Sequence, residues 1–373
     1  MTRDGGLTGS GIHGAGIPAD ALASLQTPCL VVDLAAVDRN IARAEAIAAS
    51  GGIRLRPHFK AHKCSRLMAR QLASGSAIGA TCQTIPEASI LARAGVADLL
   101  VANQLVTDQD LATVAEVAAL ATLTVAVDDL EHVRLLERAV PKSPSRLGVV
   151  IEVDVGLGRC GLAPDRPELL PLADAIAATA GLDLVGVLAY EGHLSLKEDP
   201  TFRESEMLTV RDRIRHAVGR LEAAGHPVKL VTGGGTGTLS SVASLGSHTE
   251  AQPGSYVLMD ATYAKLGLGF EPALFCLASV ISRVVPDRAV LDAGLKAMSA
   301  EYGMPRAATP GLQVTRLADE HAVATLAEGT TLPIAARVLL QPAHVDPTVN
   351  LHSSLHVWDG SAWERWAVDG RTY

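Results

Sequence analysis

The feature that most constrains this chain is an alternation of short β-branched runs with longer stretches of helical periodicity, beginning at Thr27. Such alternation is typical of βα units built on a parallel sheet. Eight strands with intervening helices over about 210 residues predict an α/β fold with a (β/α)8 barrel of the TIM type, rather than an open sheet. The predicted strands lie at 29–33, 53–59, 77–83, 98–103, 122–128, 147–154, 183–190 and 229–232.

The alternation of strand-like and helix-like segments ends at about Gly254. The apolar runs at 274–285, 288–291, 335–340 and 354–358 have no long helix between them, which predicts a second, β-rich domain. A bare barrel uses about 250 residues, so it leaves room for this domain in a chain of 373 residues. We expect a glycine-rich flexible leader at 1–26, the barrel at 27–260, and a C-terminal β-domain at 261–373.

Composition excludes several functions. The formal net charge is −8 and there is no run of basic residues, which argues against a nucleic-acid partner. No apolar stretch reaches about 18 uninterrupted residues, so no membrane association is expected. The five cysteines are odd in number and scattered, which argues against disulfides and cysteine-bound zinc and favours a cytoplasmic protein.

Polar side chains follow the predicted strands, at the end where barrels of this class hold their active sites. Strand two runs into RPHFKAHK, which contains His58, Lys60, His62 and Lys63. Lys60, beside two histidines, is a candidate Schiff-base lysine. Lys63 is the competing lysine, because strand periodicity does not separate the two.

A glycine-rich run, TGGGTGT at 232–238, follows strand eight. Backbone N–H groups in such a loop commonly bind phosphate, although the same composition also serves as a simple turn. With a lysine at the same rim, the loop predicts an aldehyde cofactor that carries a phosphate group.

In the second domain, His344 and Asp346 project to one side if their segment is extended. One imidazole and one carboxylate suit Mn²⁺, Mg²⁺ or Zn²⁺. His-x-Asp alone is also the pattern of an ordinary hydrogen-bonded pair.

The chain resembles the fold-type III pyridoxal-phosphate enzymes of the alanine racemase-like barrel, in the branch of D-threonine aldolase and D-serine dehydratase. The matching segments are TPCLVVDLAAVDRNI, RPHFKAHK, EVDVGLGRCG, TGGGTG, GSYVLMDATY, LDAGLK, DEH and HVDPTVNLH. The resemblance implies that Lys60 carries pyridoxal 5'-phosphate and that His344 and Asp346 bind a divalent metal. The other predicted cofactor contacts are His58, Gln83, Arg159, Tyr190 and Thr232 at strand ends, Gly234, Gly235 and Thr236 in the glycine loop, and Tyr256 in the GSYVLMDATY segment.

The resemblance implies cleavage of a D-threonine-like D-β-hydroxy-α-amino acid to glycine and an aldehyde. Asp346 favours this over dehydration, because the dehydratase branch carries cysteine there, and a carboxylate shifts the preference from Zn²⁺ toward Mn²⁺ or Mg²⁺. Candidate bases are His62, His193 and a metal-bound hydroxide. The resemblance also implies a homodimer.

Several alternatives stay open. They are a 3-hydroxyaspartate aldolase, a dehydratase of D-serine or D-threo-3-hydroxyaspartate, a racemase and a non-catalytic pyridoxal-phosphate carrier. A racemase has no need of a divalent ion, and carriers of this type lack the second domain. Glu191, Gly192, His193 and Ala322 depart from the pattern of the aldolases, so the sequence leaves the native β-substituent open.

Overall fold

The computed structural model of the protein describes residues 16–140 and 146–371. Its helices there are α1 Ala19–Ala23, α2 Leu34–Ser50, α3 Ser65–Leu72, α4 Ile85–Arg93, α5 Asp108–Ala118, α6 Leu130–Ala139, α7 Leu169–Ala178, α8 Pro200–Ala223, α9 Leu239–Leu245, α10 Ala261–Ala264 and α11 Val345–Asn350. Its strands are β1 Cys29–Asp33, β2 Arg54–Leu55, β3 Ala80–Cys82, β4 Asp98–Val101, β5 Thr122–Val127, β6 Leu147–Glu152, β7 Leu182–Ala189, β8 Leu230–Gly233, β9 Glu250–Ala251, β10 Leu274–Ser282, β11 Arg288–Leu291, β12 Arg306–Ala307, β13 Leu312–Leu317, β14 Ala322–Leu326, β15 Arg337–Gln341, β16 Ser354–Trp358 and β17 Trp363–Ala367. None of the helices in the described ranges is long and apolar enough to cross a membrane.

An eight-stranded parallel sheet forms the barrel, in the order β2-β9-β8-β7-β6-β5-β4-β3. Its two end strands meet through isolated parallel bridges, Leu55 with Ala77 and His58 with Thr81. β6 is buried along its whole length, as expected for a strand covered on both faces. The predicted (β/α)8 class is confirmed.

The helices around this sheet begin where the sequence supplies caps. Thr84, Thr107, Asp129 and Asp199 each accept a backbone N–H at the start of α4, α5, α6 and α8. These side chains satisfy donors that have no partner within the helix.

The first predicted barrel strand is wrong. The run at 29–33 is indeed a strand, β1, but it pairs antiparallel with β10 and parallel with β16 in the other sheet. The eighth barrel strand is β9, only two residues long, between β2 and β8. Because β1 is buried along its whole length and apolar up to its last residue, Asp33, its composition does not indicate which sheet it joins.

Two compact units divide the chain, and their limits correct the predicted boundaries. One unit is Ile41–Tyr256 with the described part of Asp369–Tyr373 and contains the barrel. The other combines the described part of Met1–Asn40 with Val257–Val368. The second unit is therefore built from both ends of the chain, not from 261–373 alone.

A nine-stranded sheet organises this second unit, which we call the β unit. It runs β13-β14-β11-β10-β1-β16-β17, with β15 paired to β10 and β12. A core cluster beside β1 joins Leu22 to Val31, Phe275 and Trp358. The predicted flexible leader is wrong for residues 16–26, because α1 buries Leu22 completely. Residues 1–15 lie outside the described ranges.

Candidate active site

The chain leaves β2 and reaches Lys60 within a short 3-10 turn at Phe59–Ala61. Phe59 and Ala61 are buried on either side of Lys60 and anchor the turn, while Lys60 itself is partly exposed. The side chain of His58 caps this turn by accepting the Lys60 N–H. Lys60 thus lies at the carboxyl end of its strand with its side chain accessible, as a cofactor-binding lysine requires.

Lys63 lies in a different environment. Its Nζ is 3.4 Å from Glu87 Oε1, and the two side chains are only 5% and 1% exposed. Glu87 also accepts the backbone N–H of Gln83, at 2.7 Å from Oε2. The buried pair commits the Lys63 amine to a carboxylate, so the structure favours Lys60 as the nucleophile.

His58 and Gln83 meet beside Lys60, as predicted for two cofactor contacts. Burial and then the nearby positive charges, Lys60 foremost and Arg159 among them, hold the pKa of His58 well below its usual value. A hydrogen bond with Gln83 opposes this only in part. His58 is therefore a neutral imidazole at neutral pH.

His62 is fully buried with both ring nitrogens engaged. The Cys64 N–H lies 3.2 Å from Nδ1, and Nε2 lies 2.9 Å from Gln71 Oε1. Since a backbone N–H can only donate, Nδ1 is the acceptor and Nε2 carries the proton. Gln71 Nε2 in turn donates to the Tyr256 hydroxyl at 2.9 Å. His62 is thus tied into a packed network and poorly placed to accept a substrate proton.

The glycine loop is shaped by close packing, which is tighter at some positions than at others. A Cβ on Gly233 or Gly237 would lie 1.9 Å from a backbone oxygen, and Gly234 has φ +73°, so these three positions demand glycine for structural reasons. Gly235 differs, because a Cβ there would meet only side-chain atoms of Ser195 and Tyr190, at 3.3 Å. Among these four glycines, Gly235 is therefore the one whose surroundings demand glycine least.

Glu191 organises this loop and was missed as a site residue. Its buried carboxylate accepts the Thr238 hydroxyl and, at 3.2 Å, the Gly234 N–H. The Gly235 N–H donates to Thr238 Oγ1 at 3.0 Å. A carboxylate one residue beyond the predicted strand seven was the only available signal.

The other predicted phosphate-side residues lie next to the loop. Thr236 Oγ1 accepts the Tyr256 N–H at 3.0 Å, and Thr232 Oγ1 accepts from Gln252 and donates to Glu250. The Thr232 hydroxyl is therefore already engaged by two buried side chains of the barrel unit. The hydrogen bond between Thr236 and Tyr256 connects the glycine loop to a 3-10 turn at Ser255–Val257.

Arg159 and Tyr190 are also brought together. The guanidinium carbon lies 5.7 Å from the centre of the Tyr190 ring, within cation–π range, and Tyr190 Oη lies 3.2 Å from Ser195 Oγ. Tyr190 thereby lies between Arg159 and Ser195, the residue whose hydroxyl is next to Gly235.

His193 has the features of a base. Its Nδ1 is buried and has no hydrogen-bond partner among the residues that the structure describes. Burial lowers the pKa of the ring, an effect that Arg213 reinforces and Glu191 opposes. The ring is therefore neutral near pH 7 and has one nitrogen available.

Three further potential ligands, from Asp128, Glu152 and Cys160, lie within 4.8 Å of one another. Their carboxylates already have partners: Asp128 accepts the Gly161 N–H at 2.7 Å and pairs with His132 at 3.2 Å. Glu152 accepts from Gln104 Nε2 at 2.5 Å. These bonds account for the cluster without an ion.

In the β unit, His344 and Asp346 lie at the start of α11. The segment is not extended throughout, because only His344 is extended, as the N-cap, and Asp346 falls in the first helical turn. His344 Nε2 is nevertheless 3.7 Å from Asp346 Oδ1, and both side chains are half-buried. Two ligands of one ion with bonds of about 2.1 Å lie about 3.0 to 3.4 Å apart at octahedral or tetrahedral angles, so the pair needs to close by only a few tenths of an ångström to bind a divalent metal.

Comparison with known proteins agrees with these features. Residues 32–262 match the alanine racemase N-terminal domain, and residues 273–358 match a serine dehydratase domain. The chain therefore belongs to the alanine racemase N-terminal domain family, in a form that continues into a serine dehydratase-type domain.

Individual proteins are similar to this chain over nearly its whole length. A D-threonine aldolase of an Arthrobacter species is 38% identical over 95% of both chains. A 3-hydroxy-D-aspartate aldolase of Paracoccus denitrificans (strain Pd 1222) is 34% identical over 95% of this chain and 94% of its own. The solved structure of a D-threonine aldolase from Filomicrobium marinum superposes with a TM-score of 0.89 at 34% identity, covering 94% of this chain and 97% of its own.

Proposed function

We propose that this protein is a lyase that uses pyridoxal 5'-phosphate and a divalent metal to cleave D-β-hydroxy-α-amino acids, D-threonine among them, to glycine and an aldehyde. The observation that carries the proposal is the pairing of His344 Nε2 with the Asp346 carboxylate at 3.7 Å, in a chain whose barrel presents Lys60. The aldolases among the relatives support it. A cytoplasmic homodimer that uses Mn²⁺ or Mg²⁺, with Zn²⁺ as the alternative ion, belongs to the same proposal.

The barrel residues fit the cofactor. Lys60 offers an accessible amine, the glycine loop follows β8 at its carboxyl end, and neutral His58 and Gln83 lie beside the lysine. When bound, the cofactor supplies an electron sink for the pair released from the Cα–Cβ bond, and the metal supplies a Lewis acid. His344 and Asp346 would hold the metal.

The reaction also needs a residue that moves protons. The β-hydroxyl loses its proton as its carbon becomes the aldehyde carbon, and Cα gains one proton to give glycine. His193 suits the first step, because its neutral ring has an unpartnered buried nitrogen. His62 instead has a structural role, because both of its ring nitrogens are engaged in hydrogen bonds with Gln71 and Cys64.

Product analysis tests the proposal. Metal-depleted enzyme reconstituted with the cofactor is incubated with D-threonine and Mn²⁺, Mg²⁺, Zn²⁺ or chelator. We expect glycine and acetaldehyde in equal amounts, dependent on added metal. Formation of 2-oxobutanoate and ammonia without glycine would establish the dehydratase reaction instead.

A second set of substrates addresses the β-substituent. D-Phenylserine and D-3-hydroxyaspartate distinguish an aldolase of broad range from one specific for the acidic substrate of the Paracoccus relative. L-Threonine serves as the stereochemical control. Absence of turnover with every D-substrate, despite bound cofactor, would instead favour a carrier.

A further inference from the structure

Glu301 contacts the predicted metal ligand His344 from the side opposite Asp346. Its Oε2 lies 2.9 Å from His344 Nδ1, while Asp346 Oδ1 lies 3.7 Å from Nε2. The two nitrogens of an imidazole ring point in widely divergent directions. Glu301 and Asp346 therefore cannot be ligands of one ion that is bound to a single ring nitrogen of His344.

This contact determines which nitrogen of His344 can bind a metal. A carboxylate that accepts from Nδ1 keeps the proton on that nitrogen and leaves the Nε2 lone pair available. Nε2 is the nitrogen that faces Asp346. Carboxylates commonly orient metal-binding histidines in this way and make the imidazole a stronger donor.

The surrounding loop holds Glu301 in place. Thr348 Oγ1 in α11 donates to the His344 carbonyl at 2.7 Å and accepts the Ser299 N–H at 3.1 Å. Ser299 Oγ then accepts the Glu301 N–H at 3.1 Å. The loop and the helix that carries Asp346 are thus linked by hydrogen bonds.

Tyr302 adds a second constraint. Its backbone has φ +68°, a conformation that non-glycine residues rarely adopt. Its ring lies 4.8 Å from the His344 ring, centre to centre. The strained residue thus places an aromatic ring against the imidazole that Glu301 contacts.

We propose that Glu301 is a positioning residue of the metal site, which fixes the tautomer and the ring orientation of His344. This inference rests on the proposed function, in which His344 and Asp346 bind a divalent ion. It assigns Glu301 no contact with the metal or the substrate.

The test measures Mn²⁺ binding to the metal-depleted full-length protein by calorimetry and electron paramagnetic resonance, without any turnover. We expect Glu301→Ala to weaken Mn²⁺ binding by about 10- to 100-fold. Glu301→Gln should lose less, because its amide oxygen still accepts from Nδ1. Glu328→Ala, which removes an exposed carboxylate of the same unit, should bind as the unchanged protein does.

The outcomes separate the two proposals. If the unchanged protein binds no Mn²⁺, or if His344→Ala binds it equally well, the proposed metal site itself fails. If the unchanged protein binds through His344 and Glu301→Ala retains full affinity, only the role of Glu301 is overturned. Equal losses in Glu301→Ala and Glu301→Gln would indicate an effect of charge and would also overturn the orienting role. Melting temperatures without metal confirm that each variant is folded, and Glu301→Gln carries the test if Glu301→Ala is not.

Discussion

The environments of Lys60 and Lys63 assign them different tasks at the residue scale. Lys60→Ala should abolish the absorbance of the protein-bound cofactor and leave stability nearly unchanged, because the side chain is partly exposed. Lys63→Met should instead cost about 3 kcal/mol of unfolding free energy, because it leaves Glu87 buried without its partner.

Absorbance spectra and urea unfolding of the two variants check this division. The double variant Lys63→Met with Glu87→Gln is the matched control, since it removes both charges and retains an acceptor for the Gln83 N–H. It should recover part of the lost stability. If Lys63→Met lost the cofactor band while Lys60→Ala kept it, the assignment of the two lysines would be reversed.

His193 gives a prediction about pH. Because burial lowers the pKa of its ring, the neutral, proton-accepting form persists at lower pH than for an ordinary histidine. The acid limb of kcat/KM for D-threonine should therefore lie below about pH 6.5. Initial rates between pH 5 and pH 9, at saturating cofactor and metal, measure it.

Substitution isolates the histidine responsible. His193→Asn should reduce kcat/KM by about 10²- to 10⁴-fold and remove that acid limb. His62→Asn should lower stability, because a packed hydrogen-bond network is broken, and keep the limb where it was. A limb that persists in His193→Asn and disappears in His62→Asn would identify His62 as the base.

At the scale of the elements, a buried ion network ties barrel strands together. Arg56 donates to Glu250 at 2.7 Å and to Asp98 at 2.6 Å, and so connects the end of β2 with the starts of β9 and β4. Arg56→Met leaves the buried Glu250 carboxylate without its cation and should cost about 3–5 kcal/mol. Changing both Arg56 and Glu250 to Met should cost clearly less. Urea midpoints with unchanged slopes test this; equal losses in the two variants would contradict it.

The elements that the sequence predicted well are those whose burial follows from local pattern. The run at 98–103 became β4, and the run at 354–358 became β16. The pairing of β1 was not predictable, because a fully buried strand that is apolar up to its final Asp33 fits either sheet. β9 was missed because two residues carry no periodicity, and α11 because its six residues follow a histidine that is itself extended.

In the candidate site, too, some features could be predicted from the sequence and others could not. Strand ends pointed to Lys60, His58, Gln83 and Tyr190, because the residues that follow parallel strands gather at one rim. Other residues of the candidate site have partners from distant parts of the chain, as Tyr256 has in Gln71 and His344 has in Glu301. Spacing along the sequence carries no information about such contacts.

At the scale of the whole molecule, the β unit depends on both ends of the chain. β1 lies between β10 and β16 in the sheet order, and α1 covers the neighbouring core with Leu22. Residues near 20–33 are therefore structural parts of a unit whose other strands lie more than two hundred residues later. A truncation designed on the predicted leader would remove part of a core.

Hydrogen exchange can test this division. Leu22→Ala should destabilise by about 3 kcal/mol, because the fully buried side chain leaves a cavity. Exchange should accelerate in peptides covering β10 and β16 and remain slow in β6 and β7, because regions that share a core open together. Leu99→Ala, equally buried in β4, is the matched control and should give the opposite pattern. If Leu22→Ala loosened β6 as much as β10, α1 would belong to the cooperative core of the barrel, and the division of the chain into these two units would be wrong.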